Sequence, residues 1–148
     1  MTGENMKINI IYDSEHGNGE KIAEDLMDMI KEGGNEAHIY HAKKTDPETI
    51  GDADLYIFGS PTHLRGPSRR IKKIIKKAPF GKSGSKYALF TTSRDGKEKA
   101  AEKMEKMLKE RGLKRGASNL HLRVEGKKGP LEKNYSEKIE HFLGEFAG

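Results

Sequence analysis

The chain has 148 residues, a formal net charge of +5, 33% hydrophobic residues and no cysteine. That length holds one domain with a single sizeable core, and the missing thiols exclude disulfides, a cysteine nucleophile and a cysteine-ligated iron–sulfur cluster. No apolar run is long enough to cross a bilayer and no charged-then-apolar signal segment opens the chain, so one domain over residues 1–148, with residues 1–5 as a mobile leader, is expected in the cytoplasm.

Short apolar runs then alternate with amphipathic stretches. Residues 7–12 read as a buried strand, and residues 18–31 as a helix with Ile22, Leu26 and Ile30 on one face. Glu32-Gly33-Gly34-Asn35 breaks the chain before an edge strand at 36–41, with His38 and Tyr40 on one face and Ile39 on the other. Asp46-Pro47-Glu48 reads as a short helical start with Pro47 in its first turn. Residues 54–59 form a buried strand, 68–77 a helix carrying Ile71, Ile74 and Ile75, and 87–92 another strand. A helix at 97–111 turns Ala100, Ala101, Met104, Met107 and Leu108 inward and stops at Gly112. The last strand is 121–124, and the last helix is 136–146, for which Tyr135-Ser136 offers a cap. Five strands alternating with helices predict an α/β fold, a doubly wound parallel sheet with right-handed crossovers. Ligands in such sheets bind beyond the C-terminal strand ends. The loops starting at Asp13, Gly59 and Thr92 lie there.

The first of those loops carries the clearest chemistry. A buried strand runs into Asp13-Ser14-Glu15-His16-Gly17-Asn18-Gly19 and then directly into a helix. Unpaired N–H groups at such a helix start, backed by the helix dipole, make an anion site, most often for phosphate. The pattern recurs where Leu55-Tyr56-Ile57-Phe58 meets Gly59-Ser60-Pro61-Thr62-His63-Leu64-Arg65-Gly66. Two such loops at one sheet edge frame a ligand.

These residues resemble the flavodoxin family over essentially the whole chain. That family's phosphate loop is a hydroxyl residue, any residue, Thr, Gly, usually Asn, then Thr. Ser14, Gly17 and Asn18 match it, while His16 and Gly19 replace the two threonines. The run from Asp52 through Gly59-Ser60-Pro61-Thr62-His63 looks like the family's third strand and flavin-contacting loop, and 87–96 fits the third contact loop loosely. The resemblance implies a five-stranded sheet in the order 2-1-3-4-5, short-chain in type. It also implies non-covalent flavin mononucleotide (FMN) used to carry electrons between redox partners. By that analogy Ser14, Glu15, His16, Gly17, Asn18 and Gly19 would hold the phosphate. The ring would lie between Ser60, Pro61, Thr62, His63, Leu64, Arg65 and Gly66 on one side and Thr92, Ser93, Arg94 and Gly96 on the other. Family members commonly sandwich the ring between aromatic side chains, and neither loop contains one. Losing two hydroxyls predicts weaker binding, since each neutral hydrogen bond contributes roughly 0.5–1.5 kcal/mol.

Charge adds a separate expectation. Residues 1–64 carry 13 acidic and 5 basic side chains (−8), and residues 65–148 carry 10 and 23 (+13). If the halves lay on opposite sides of the sheet the molecule would be a strong dipole, although a solvated charged surface accounts for the same counts. Arg65 and Arg94, with His63, stand near the expected ring position. A cation at about 4 Å contributes on the order of 4 kcal/mol at an effective dielectric near 20, so the reduced anionic flavin is expected to form more easily than in acidic family members. The helix bearing Arg69, Arg70, Lys72, Lys73, Lys76 and Lys77 suits an acidic redox partner.

Other motifs fail on context. Gly17-Asn18-Gly19 begins a dinucleotide fingerprint, but Ile22 stands at its third glycine and the next strand ends in Tyr40-His41 without an acid. Gly81-Lys82-Ser83 precedes a strand instead of joining a strand to a helix. Ser14 and His16 lack a nucleophile elbow, and His38 and His41 point to opposite strand faces, so no metal pair forms. His121 and His141 belong to no motif. Basic residues interleave with glutamates and lack stacking aromatics, which disfavours nucleic acid. The expected function is therefore an electron carrier more than an enzyme. A flavin-dependent nicotinamide-oxidising reductase of the same fold, or a binding module that has lost FMN, are the alternatives.

Overall fold

The computed structural model describes residues 5–14, 17–62, 66–94, 98–124 and 130–146. At its centre stand β1 (Lys7–Tyr12), β3 (Leu55–Pro61) and β4 (Lys86–Ser93). Their side chains are apolar on both faces, as a parallel strand covered by helices requires: Ile8, Ile10, Ile11, Ile57, Phe58 and Leu89 are fully buried. β2 (Glu36–His41) forms one edge. The order is β2-β1-β3-β4, with every pair parallel and Ile10 opposite both Ile39 and Ile57. Crossover helices α1 (Asn18–Glu32), α2 (Arg69–Lys77), α3 (Lys99–Glu110) and α4 (Tyr135–Gly144) cover the faces.

The 2-1-3-4-5 order expected from the resemblance is present. Its outermost position is filled by two short strands in succession: β5 (Lys114–Arg115) pairs with Lys86 and Tyr87, and β6 (Leu120–Arg123) pairs with Phe90 through Ser93. Between them the chain bends at Gly116, where an added Cβ would meet Leu55 Cδ1 at 2.9 Å. The segment predicted as a short helical start is a 3-10 turn, Pro47–Thr49, capped by Asp46 accepting from the Glu48 N–H at 3.1 Å. The expected cap of the last helix is displaced by one residue. Asn134 occupies the N-cap and Tyr135 is already helical, without a side-chain capping bond.

Two cores lie on opposite faces. Ile11, Phe58 and Leu89 pack with Ile71, Ile74 and Ile75 of α2 and Met104 and Leu108 of α3. Ile10, Ile57 and Phe90 pack with Ile22 and Leu26 of α1 and Ile139 and Phe142 of α4. The charge asymmetry is visible on two helices that cover opposite faces. On one face α1 carries Glu20, Glu24, Asp25, Asp28 and Glu32 against Lys21 and Lys31, while on the other α2 carries six cations and no acid.

α2 is held in place from both ends. At its start Ser68 accepts the Ile71 N–H at 3.3 Å. At its end the Arg111 guanidinium donates to the carbonyls of Ile75 (2.7 Å), Lys76 (2.9 Å) and Ala78 (2.7 Å) and lies 4.9 Å from the Phe80 ring centre. These contacts offset a local penalty. Arg69 with Lys72 and Lys73, Lys72 with Lys76, and Lys73 with Lys77 are like charges three or four residues apart, each destabilising by about 0.2–0.5 kcal/mol. Arg69 and Arg70 also sit at the positive end of the helix dipole, with no acid in the first turn.

Candidate functional site

The C-terminal ends of β1, β3 and β4 are tied into one rim by their backbones. The Asp13 N–H donates to the Gly59 carbonyl at 3.0 Å, and the Thr62 N–H donates to the Thr92 carbonyl at 2.9 Å. On one side of this rim, Asp13 is 2% exposed and accepts the Ser14 N–H at 3.0 Å, and Ser14 Oγ accepts the Gly17 N–H at 3.1 Å. Gly17 then begins α1 as its N-cap at φ 92, a left-handed conformation open to glycine, with no side-chain capping bond. The first N–H groups of a helix have no intrahelical partner, and the positive end of α1 stands at this rim, the kind of helix start that favours an anion.

Gly19 is buried in the same turn. A Cβ added there would stand 3.0 Å from the Asp13 carbonyl oxygen and 3.2 Å from Ser14 Cβ. The turn has closed over this glycine, so a threonine at this position would need the backbone to shift.

On the other side, β3 approaches β4 closely at Gly59. The Phe90 ring covers it, and a Cβ on Gly59 would fall 1.9 Å from Phe90 Cζ. Ser60 is 2% exposed and turned inward, accepting the Ser68 N–H at 3.0 Å and donating to the Pro61 carbonyl at 2.9 Å. It links the end of β3 to the start of α2. The Thr62 Oγ1 is buried with no hydrogen-bond partner among the described residues. An orphaned hydroxyl is costly in a folded protein, and here it lies at the strand ends.

At the far edge of the rim, Ser93 Oγ is 2.7 Å from His121 Nε2 across the β4–β6 pair. Burial holds the His121 imidazole below its usual pKa, with Glu98 opposing the shift, so the neutral ring is favoured beside Ser93. At the near edge, Arg70 Nη1 lies 3.3 Å and His41 Nε2 3.9 Å from Asp13 Oδ1, and the His41 ring stacks on Tyr12 at 4.7 Å. The Tyr12 hydroxyl, donating to Glu20 at 3.1 Å, is pushed up to about 12 by burial and then by that carboxylate. A cavity of about 520 Å³ opens here between Ser14, Gly17, Glu20, His41, Lys43, Lys44 and Arg70.

Of the residues expected from the sequence, Ser14, Gly17, Asn18 and Gly19 meet at the start of α1, and Ser60, Pro61, Thr62, Thr92 and Ser93 meet along the neighbouring strand ends. Arg94 follows β4 and is exposed, and Gly66 is buried near Lys103 at φ 116. Glu15, His16, His63, Leu64, Arg65 and Gly96 lie outside the described residues. Sequence reasoning did not single out Arg70 as the partner of Asp13, or His121 as the partner of Ser93. These pairs are 57 and 28 residues apart, and no local spacing signals them.

A parallel sheet in the order 2-1-3-4-5, flanked by helices and with the turn after β1 leading into α1 at the edge where strand order reverses, defines a flavodoxin-like class of α/β fold. The flavodoxin family model matches residues 10–142, and the chain belongs to the flavodoxin family. It is 31% identical over 90 residues to a flavodoxin of Clostridium saccharobutylicum, a match covering 60% of this chain and 56% of that relative. Among solved structures, it is similar in fold to rubredoxin oxygen:oxidoreductase from Desulfovibrio gigas (TM-score 0.80, 20% identity). That match covers 95% of this chain and 35% of the larger protein. The Fusobacterium nucleatum flavodoxin bound to flavin mononucleotide has a TM-score of 0.75 at 14% identity, with 95% and 96% of the two chains covered. The chain therefore spans less than two thirds of the length of the first two of these proteins. No helix among the described residues is long and apolar enough to cross a membrane.

Proposed function

We propose that this chain binds FMN at the β1, β3 and β4 strand ends and carries electrons between redox partners. The observation that carries the reading is the start of α1. In a chain of the flavodoxin family, Gly17 leads straight from β1 into a 15-residue helix whose positive end faces the edge where that family binds its ligand. The Thr62 hydroxyl, without a partner among the described residues, fits the same group, since a ligand oxygen at the strand ends would give it one.

Ser14, Glu15, His16, Gly17, Asn18 and Gly19 would receive the phosphate, and Ser60 through Gly66 with Thr92, Ser93, Arg94 and Gly96 would border the ring. The flavin, when bound, supplies one- and two-electron redox chemistry. The chain supplies the rest. The helix end would offset the phosphate charge, the Ser60–Ser68 bond ties the end of β3 to the start of α2, and Arg94 would favour negative charge on a reduced ring. With no aromatic side chain in either loop, the ring would be left open on both faces to a partner.

Titration of the purified chain with FMN tests this reading. Flavin fluorescence should be quenched and the visible bands shifted at one equivalent, and dithionite should then bleach the bound flavin. An unperturbed spectrum with no quenching would remove FMN from this cleft.

A further inference from the structure

The outer face of α2 has an unusual charge pattern that the fold does not require. Arg69, Lys72, Lys73, Lys76 and Lys77 make no ion pair with any described residue, and they line a cleft of about 330 Å³ by themselves. Lys103 of α3 borders an adjoining cleft of about 290 Å³ whose floor is Ile75 and Met107. Like charges at helical spacing repel, and the first two stand against the helix dipole. A local feature that lowers stability without serving the fold points to a role outside it.

The position of the face suggests that role. Ser68, the cap of α2, is hydrogen-bonded to Ser60 at the end of β3. The cationic surface therefore begins at the rim of the cleft and extends roughly 14 Å from it, the length of nine helical residues. We propose that the outer face of α2, with Lys103, docks the carboxylate-bearing face of an acidic redox protein, whose Asp and Glu side chains enter the two clefts. This deepens the electron-carrier reading and rests on it. Protein is favoured over nucleic acid because an apolar floor of Ile75 and Met107 underlies the cations, Glu110 borders the same cleft, and no aromatic side chain lines either cleft for base stacking.

The test uses a plant-type ferredoxin, a small and strongly acidic iron–sulfur protein, as the probe. Its binding to the whole chain is measured by calorimetry with and without FMN, at low and high salt. Lys72→Glu/Lys73→Glu/Lys76→Glu should weaken binding about tenfold or more, and salt should do the same to the wild type. A remote set, Lys86→Glu/Lys114→Glu/Lys133→Glu, should leave affinity within about twofold. Lys72→Gln/Lys76→Gln, which keeps helix propensity, should weaken binding in the same direction if the reversed triple unfolds. Equal loss with the remote set, binding insensitive to salt, or no binding at all would overturn the proposal. So would a single-stranded oligonucleotide that binds as tightly and is lost with the same variants. Because binding is read without flavin, docking that persists in a chain unable to bind FMN would sink the carrier reading and leave the surface standing. FMN binding with ferredoxin affinity unaffected by the α2 variants would do the reverse.

Discussion

Gly59 and Phe90 show how one position shapes the site. The phenylalanine ring lies where any Cβ on residue 59 would be, 1.9 Å from its Cζ. Gly59→Ala must displace a fully packed ring between β3 and β4, and overpacking of this kind costs about 1–3 kcal/mol. Urea unfolding should show that loss, and FMN affinity should fall with it because Ser60 through Thr62 follow directly. His121 sets a pH dependence. Its folded pKa is lowered by burial, so as pH falls below the unfolded value of about 6.5 the unfolded chain takes up a proton that the folded chain refuses. Stability is therefore fully present above that value and declines as pH falls toward the lower folded pKa. In His121→Gln the slope between pH 6.5 and the carboxylate range should flatten in denaturation midpoints. An unchanged slope would assign it to other groups.

At the scale of elements, α2 is stabilised by its caps and its buried isoleucines against its own charges. Lys73→Gln removes like-charge neighbours on both sides and should stabilise the protein by a few tenths of a kcal/mol, more at low salt than at high. Ser68→Ala removes the cap and should cost about 1 kcal/mol. Thermal midpoints of the two variants moving in opposite directions would verify both. The elements themselves were largely legible. Ile8-Asn9-Ile10-Ile11 reads as a buried strand and the Ile22, Leu26, Ile30 spacing as one helix face, because burial imposes those periods. β5 was not legible, since Lys114–Arg115 are both exposed and two residues carry no period. The turn from β1 into α1 could be read because it is continuous in sequence. The Asp13–Arg70 and Ser93–His121 pairs could not, because only the fold brings them together. The closing of the turn over Gly19 likewise depends on the Asp13 carbonyl, which no motif records.

Across the whole molecule, the parallel arrangement points the starts of α1 and α2 at the same edge of the sheet. Their positive helix ends add to Arg69 and to Arg70, which pairs with Asp13, and together favour an anion at that edge although α1 itself is acidic. The rate at which FMN, a phosphate dianion, associates should therefore fall as salt is raised, while its dissociation changes little. Stopped-flow fluorescence would separate the two rates, and an association rate insensitive to salt would show that local hydrogen bonding outweighs the field.

The Arg111 guanidinium bridges the end of α3 to three carbonyls at the end of α2. A helix of nine residues so clamped cannot fray alone at that end, and its amide protons should exchange with solvent only when the base of α3 also opens. The basic face would then behave as a stiff plate in two joined pieces. Its cations would be held at fixed spacings, and a partner meeting them would lose little backbone disorder on contact.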